Sequence, residues 1–69
     1  MKITLNNNIE VIQTVEDSLT INQLLQIKKY SFKNLVVKIN EEFVKRDSYD
    51  NAKFKDGDKV DVIHMISGG

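Results

Sequence analysis

The chain has 69 residues, ten acidic and ten basic side chains, one histidine, no cysteine, no proline and 41% hydrophobic content. That length allows one small domain, which buries only about 60% of the surface its unfolded chain exposes, so function is expected on its surface or its ends. Zero net charge gives no field for nucleic acid or an anionic membrane, the absence of cysteine excludes disulfides and thiolate catalysis, and one histidine leaves no transition-metal ligand set.

Met1 to Leu5 alternates, with Ile3 and Leu5 on one face, and predicts a half-buried strand. Asn6-Asn7-Asn8 follows; asparagine tolerates left-handed backbone and bonds its own main chain, so the triplet predicts a hairpin turn into a second strand from Ile9 to Gln13. Between Glu16 and Tyr30 the period changes. Ile21, Leu24 and Leu25 fall at helical spacing behind Ser18 and Thr20 as caps, with Asn22, Gln23 and Gln26 expected toward water. Lys28, Lys29, Lys33 and Lys38 form a mild basic stretch that reads as a solvated face.

From Asn34 to Asn40 the chain is β-branched and partly alternating, a third strand with Val37 and Ile39 on one face. Asn40-Glu41-Glu42 turns the chain into a short return strand at Phe43-Val44, and Asp47-Ser48-Tyr49-Asp50 predicts a tight turn or one helical turn. Phe54 is expected to plug the core below this loop. Gly57 is the only interior glycine and the expected positive-φ position of an Asp56-Gly57-Asp58 turn. The last strand then runs from Lys59 to Ile66, with Val60 and Val62 toward the core and Asp61 and Ile63 outward. No apolar run reaches the ~20 residues of a membrane span, and the first residues lack a secretory apolar region, so a cytoplasmic location is expected.

The order β, β, α, β, short β, β describes an α+β sheet gripping one helix, the order of ubiquitin and its relatives. We therefore expect a ubiquitin-like β-grasp with a mixed sheet of four to five strands over residues 1–66 and a flexible functional tail over residues 67–69. The sequence closes on Ser67-Gly68-Gly69, two of its three glycines. Without a Cβ, such a terminus can be threaded extended or bent and leaves its acyl carbon unshielded. A terminal carboxylate is ionised at neutral pH and is a poor electrophile. Its activation requires ATP, yet the chain has no Gly-x-x-x-x-Gly-Lys loop, so a partner enzyme must supply the nucleotide site. With no cysteine, any sulfur would be carried at the terminus itself.

Candidate acid, base and nucleophile groups exist in His64, Asp61, Asp58, Glu41, Glu42 and Ser67, but their spacing along turns and an extended strand does not converge them, and the chain is not expected to be an enzyme. The outward residues offer a clearer signal. Ile63 and Met65, joined by Phe43 on a neighbouring strand, would form an apolar patch beside Ile66, Ser67 and the glycines, where a processing partner would dock.

The runs Val36-Val37-Lys38-Ile39-Asn40, Val44-Lys45-Arg46, Tyr49 and Gly57-Asp58-Lys59-Val60-Asp61-Val62, with Gly68-Gly69 at the end, resemble the ThiS family of sulfur carriers in thiamine biosynthesis. The resemblance spans nearly the whole chain. It implies that Gly69 is adenylated by a ThiF-type enzyme using ATP, converted to a thiocarboxylate with sulfur from a donor such as a cysteine desulfurase, and used by the thiazole synthase ThiG. No cofactor is expected to reside on the carrier. The family often has proline before its arginine and tryptophan three positions after it; this chain has Lys45 and Tyr49 there. Arg46 is retained and is expected to pair locally with Asp47 or Asp50. Two other readings stay open: the related small subunit of molybdopterin synthase, and a ubiquitin-like interaction or conjugation module.

Overall fold

The computed structural model describes residues 1–30 and 34–65. β1 (Lys2–Leu5) and β2 (Asn8–Val11) form a hairpin, β3 (Ser18–Thr20) leads into α1 (Ile21–Ile27), and β4 (Leu35–Ile39) pairs with β5 (Glu42–Val44) in a second hairpin. A 3-10 turn over Arg46–Ser48, β6 (Lys53–Lys55) and β7 (Lys59–His64) complete the order. The main sheet has five strands in the order β2-β1-β7-β4-β5, with β7 parallel to β1 and antiparallel to β4. β3 and β6 make a separate two-stranded sheet. This is the mixed sheet on one helix that the sequence predicts.

Both hairpin loops hold two residues at positive φ, Asn6 (50°) with Asn7 (69°) and Asn40 (50°) with Glu41 (73°). That backbone matches the twist of the flanking strands, which is why such loops can be so short. Asn8 and Glu42 therefore belong to strands and not to the turns, one residue earlier than the sequence pattern indicates. Gly57 takes the expected left-handed conformation at φ 89°, and its N–H donates to Lys2 O at 2.8 Å, tying the turn before β7 to β1.

Helix α1 is shorter than the Glu16–Tyr30 window because Ser18–Thr20 is extended and pairs with β6, Leu19 opposite Phe54. Thr20 is the cap: its hydroxyl accepts from Gln23 N at 3.1 Å and its N–H donates to Gln23 Oε1 at 2.8 Å, a reciprocal box contributing about 1 kcal/mol. At the other end Lys29 adopts φ 58°, and Lys29 N and Tyr30 N donate to Gln26 O and Leu25 O. This Schellman closure stops the helix with lysine where glycine is usual.

The core lies between the helix and one face of the main sheet. Ile3, Leu5, Val37, Val60 and Val62 project from the strands onto Ile21 and Leu24, and Phe54, 1% exposed, fills the space under β3. Burying one such ring contributes about 2–3 kcal/mol. Tyr49 is also buried in this cluster.

Candidate functional site

β7 carries the chain toward its end, and the sheet holds it on both sides. Asn6 Oδ1 accepts from Val62 N at 2.8 Å, and Asn6 N donates to Val60 O at 3.0 Å. On the opposite side Asn40 Oδ1 accepts from Lys59 N at 3.0 Å, while Asn40 N donates to Lys59 O at 2.7 Å. One more ladder bond, Met65 N to Asn34 O at 2.9 Å, extends the pairing past the last strand residue. The strand ends at His64, two residues short of the expected Ile66. Ile66, Ser67, Gly68 and Gly69 lie outside the described residues, as does Lys33 of the basic stretch.

Cross-strand register places the predicted docking residues. Phe43 lies opposite Lys38, which lies opposite Asp61, and in the next row Val36 lies opposite Ile63. Paired residues share a face, so Phe43 and Ile63 are both on the side of the sheet away from the helix, at 72% and 45% exposure, but β4 separates their strands, which are not neighbours as the sequence suggests. The Lys38 ammonium sits 5.1 Å from the centre of the Phe43 ring, a cation–π contact across the row. Met65 is half exposed and borders a hollow with Leu25, Leu35 and Tyr49, at the end of the sheet and outside the Phe43–Ile63 rows.

The same outer face carries two residues that the sequence reading left unassigned. Ile9 lies opposite Thr4 and Val11 opposite Lys2, and both are exposed. The signal was present in Glu10, which alternation turns to the helix side, where its carboxylate meets Lys28 Nζ at 3.1 Å. An acid satisfied on the inner face forces its apolar neighbours outward.

The candidate acid and base groups do not converge. Asp58 closes its own turn, accepting from Lys55 N at 2.9 Å and Asn40 Nδ2 at 3.2 Å. Asp61 lies on the outer face with Lys38, while His64 pairs with Leu35 at the far end of β7. Glu41 is ion-paired with Lys59, which holds the Glu41 carboxyl below and the Lys59 ammonium above their ordinary ranges, chiefly through that hydrogen bond and then through the charge attraction. Glu42 is exposed on β5. Among the described residues no three acidic or histidine side chains gather as a metal site, and no helix is long and apolar enough to cross a membrane.

Arg46 departs from expectation. Asp50 accepts a hydrogen bond from Asn22 Nδ2 instead, and among the described residues Arg46 makes no ion pair with Asp47 or Asp50. Its side chain borders the hollow that also includes Asn22, Asn34 and Met65. Asn22 is accordingly half-buried and bonded, where the helical pattern had turned it to water.

No curated protein matches the sequence at a significant level. Among solved structures, the crystal structure of the thiamine biosynthesis protein ThiS from Geobacter metallireducens superposes with a TM-score of 0.86 at 28% identity, covering 100% of both chains. The solution structure of a thiamine biosynthesis protein from Geobacter metallireducens is similar at a TM-score of 0.81 and 30% identity, covering 100% of this chain and 88% of that one. The model of the ThiS family matches residues 3–69, the whole β-grasp and the terminal glycines together. The chain belongs to the ThiS family.

Proposed function

We propose that the protein is a sulfur carrier for thiamine biosynthesis, with the Gly69 carboxylate as the group that is activated and loaded. The observation that carries this reading is a family match extending to residue 69 on a domain whose sequence offers no phosphate-binding loop of its own. A ThiF-type partner would bind ATP; a Gly69 carboxylate oxygen would attack the α-phosphorus, and pyrophosphate would leave. The outer sulfur of a persulfide on a donor such as a cysteine desulfurase would then displace AMP, which departs with one former carboxylate oxygen, and a thiol reductant would cleave the resulting acyl disulfide, ending as a disulfide with the donor sulfur. The resulting thiocarboxylate is the sulfur source for ThiG. The carrier is a co-substrate in this scheme and not an enzyme, working in the cytoplasm.

Phe43 and Ile63 support the docking half of the proposal, because two exposed apolar side chains on the outer face of the sheet give a partner an anchor near β7. Met65, Ile66 and Ser67 would continue the contact toward the Gly68-Gly69 terminus as it enters the partner's active site.

Intact-mass measurement after incubation with a ThiF-type enzyme, ATP and a sulfur donor tests the reading. Replacement of one oxygen by sulfur is the expected result, lost when Gly69 is deleted while the fold persists. No mass change with an enzyme that loads its own cognate carrier would overturn it, and an isopeptide adduct on another protein would assign the chain to conjugation. Rescue of a deletion strain by thiazole separates the thiamine pathway from the molybdopterin one.

A further inference from the structure

Asp56-Gly57 is the one Asp-Gly step in the sequence, and a single residue of β1 holds both halves of it. Lys2 N–H donates to Asp56 Oδ1 at 2.7 Å, and Gly57 N–H donates to Lys2 O at 2.8 Å. At an Asp-Gly step the glycine nitrogen can close on the aspartate Cγ to form a five-membered succinimide, because glycine has no side chain to obstruct the attack. Nothing crowds this step: a Cβ at Gly57 would meet no atom within 4 Å, and Asp56 and Gly57 are both exposed to the water that the chemistry needs. The Asp58 N–H to Lys55 O bond at 3.0 Å and φ 89° at Gly57 define a type II turn. In that turn the Asp56-Gly57 peptide must rotate before its nitrogen reaches Cγ. The rotation breaks the bond from Gly57 to Lys2, and the approach of Cγ breaks the bond from Lys2 to Asp56.

We propose that Asp56-Gly57 is a latent isoaspartate site that residue 2 keeps closed, its product a substrate for isoaspartyl methyltransferases that use S-adenosylmethionine. When Lys2 lets go, the Gly57 nitrogen bonds to Asp56 Cγ, and one carboxyl oxygen leaves as water with the amide proton and a proton from solvent. Water then adds to the Asp56 backbone carbonyl carbon and cleaves its bond to Gly57, the hydroxyl staying on carbon and the proton going to nitrogen. The chain now runs through Cβ and Cγ, and a carboxylate stands on Cα; mass is unchanged and nothing is oxidised or reduced. The extra methylene lengthens the link from Lys55 to Asp58, whose carbonyl accepts from Thr4 N at 3.0 Å where β1 and β7 begin their parallel pairing. Isoaspartate at position 56 is therefore a lasting record that β1 has been open. The site stands independently of the sulfur-carrier reading.

Lys2→Pro tests it, because proline is tolerated as the first residue of a strand and removes the N–H given to Asp56. Chemical synthesis of the full chain keeps Met1 in place. Wild type and variant are held at physiological temperature and neutral pH and checked as folded by circular dichroism. Isoaspartate at position 56 is then measured by electron-transfer fragmentation and by methyl uptake catalysed by an isoaspartyl methyltransferase. We expect K2P to accumulate it about tenfold faster than wild type, the scale of one lost hydrogen bond to a carboxylate. Leu25→Ala, which weakens the core away from the turn, should stay near the wild-type rate. Equal rates in K2P and wild type would overturn the inference, as would equal acceleration in Leu25→Ala. Should K2P fail to fold, the wild type decides: a rate that rises only in step with the unfolded fraction in urea overturns the local latch, and a rise before the unfolding transition supports it. No adenylating enzyme or ATP enters the experiment, so its failure leaves sulfur loading untouched.

Discussion

The two hairpins that flank β7 share a turn geometry and differ in how they meet its cost. Each loop has two residues at positive φ, and each begins with an asparagine whose side-chain oxygen accepts a backbone N–H from β7. In the first loop the second residue is Asn7, which tolerates left-handed backbone. In the second it is Glu41, a poor choice for φ 73°, and its compensation is the ion pair with Lys59. The anchors also differ in depth: Val62 is buried in the core, while Lys59 is only half-buried at the start of the strand. The same backbone device thus works deep on one side of β7 and close to water on the other.

The largest contrast lies beside the loops. Leu5, 5% exposed in the first hairpin, should cost about 2–5 kcal/mol on truncation to alanine, much of the stability of a domain this small. Phe43 in the second hairpin is 72% exposed, and Phe43→Ala should cost less than about 1 kcal/mol in urea unfolding while weakening capture by the proposed adenylating partner. Equal destabilisation by the two would mean that Phe43 packs as core.

Next come the anchors. Asn6→Ala leaves the Val62 N–H buried without its acceptor and should cost about 2 kcal/mol, roughly twice the cost of Asn40→Ala, whose Lys59 partner water can reach. The reverse order in thermal melts would show that the second hairpin bears the greater share of the hold on β7. Glycine at the second loop position sharpens the contrast further: Glu41→Gly should raise the melting midpoint more than Asn7→Gly, because glutamate is worse suited to positive φ and the exposed ion pair it gives up is weak. A drop for Glu41→Gly would assign the turn's stability to Lys59.

The smallest effect is the pH dependence of that pair. The Glu41 carboxyl is held low, so its contribution is present above its ordinary range and disappears as pH falls through the depressed value. The Lys59 ammonium is held high, so its contribution is present below the ordinary lysine range and disappears as pH rises through the elevated one. The midpoint difference between wild type and Glu41→Gln should therefore be greatest near neutrality, shrink toward both extremes and fall with salt. A difference independent of pH would remove the ion pair from the account.

Much of this was legible because alternation and turn chemistry are local. The asparagine-led turns, the single interior glycine, buried Val60 and Val62 and exposed Ile63 all follow from short patterns. β3 and β6 were not legible: three-residue strands built on Leu19 and Phe54 hold one apolar side chain each, too few to display a period. The helix stop at Lys29 carried no glycine to mark it. Arg46 was misread in part for a non-local reason, since Asn22 occupies Asp50, 28 positions further along the sequence and one of the two aspartates expected to pair with Arg46. Of the proposed site, sequence identified the apolar anchors on alternate positions, while the hollow that Arg46 and Met65 both line emerged only when four separate segments were brought together.

The parallel pairing of β1 with β7 has a consequence for biosynthesis. β1, the earliest strand of this domain, can complete its ladder only with β7, Thr4 beside Lys59 and Leu5 beside Val60, so the sheet remains open at its centre until translation has passed residue 60. Contacts this distant along the chain close late and slow folding. A product interrupted before β7 has an unfilled middle and is a substrate for proteases, not a folded decoy. The topology thus couples survival of the domain to synthesis of the strand that precedes the proposed loading site.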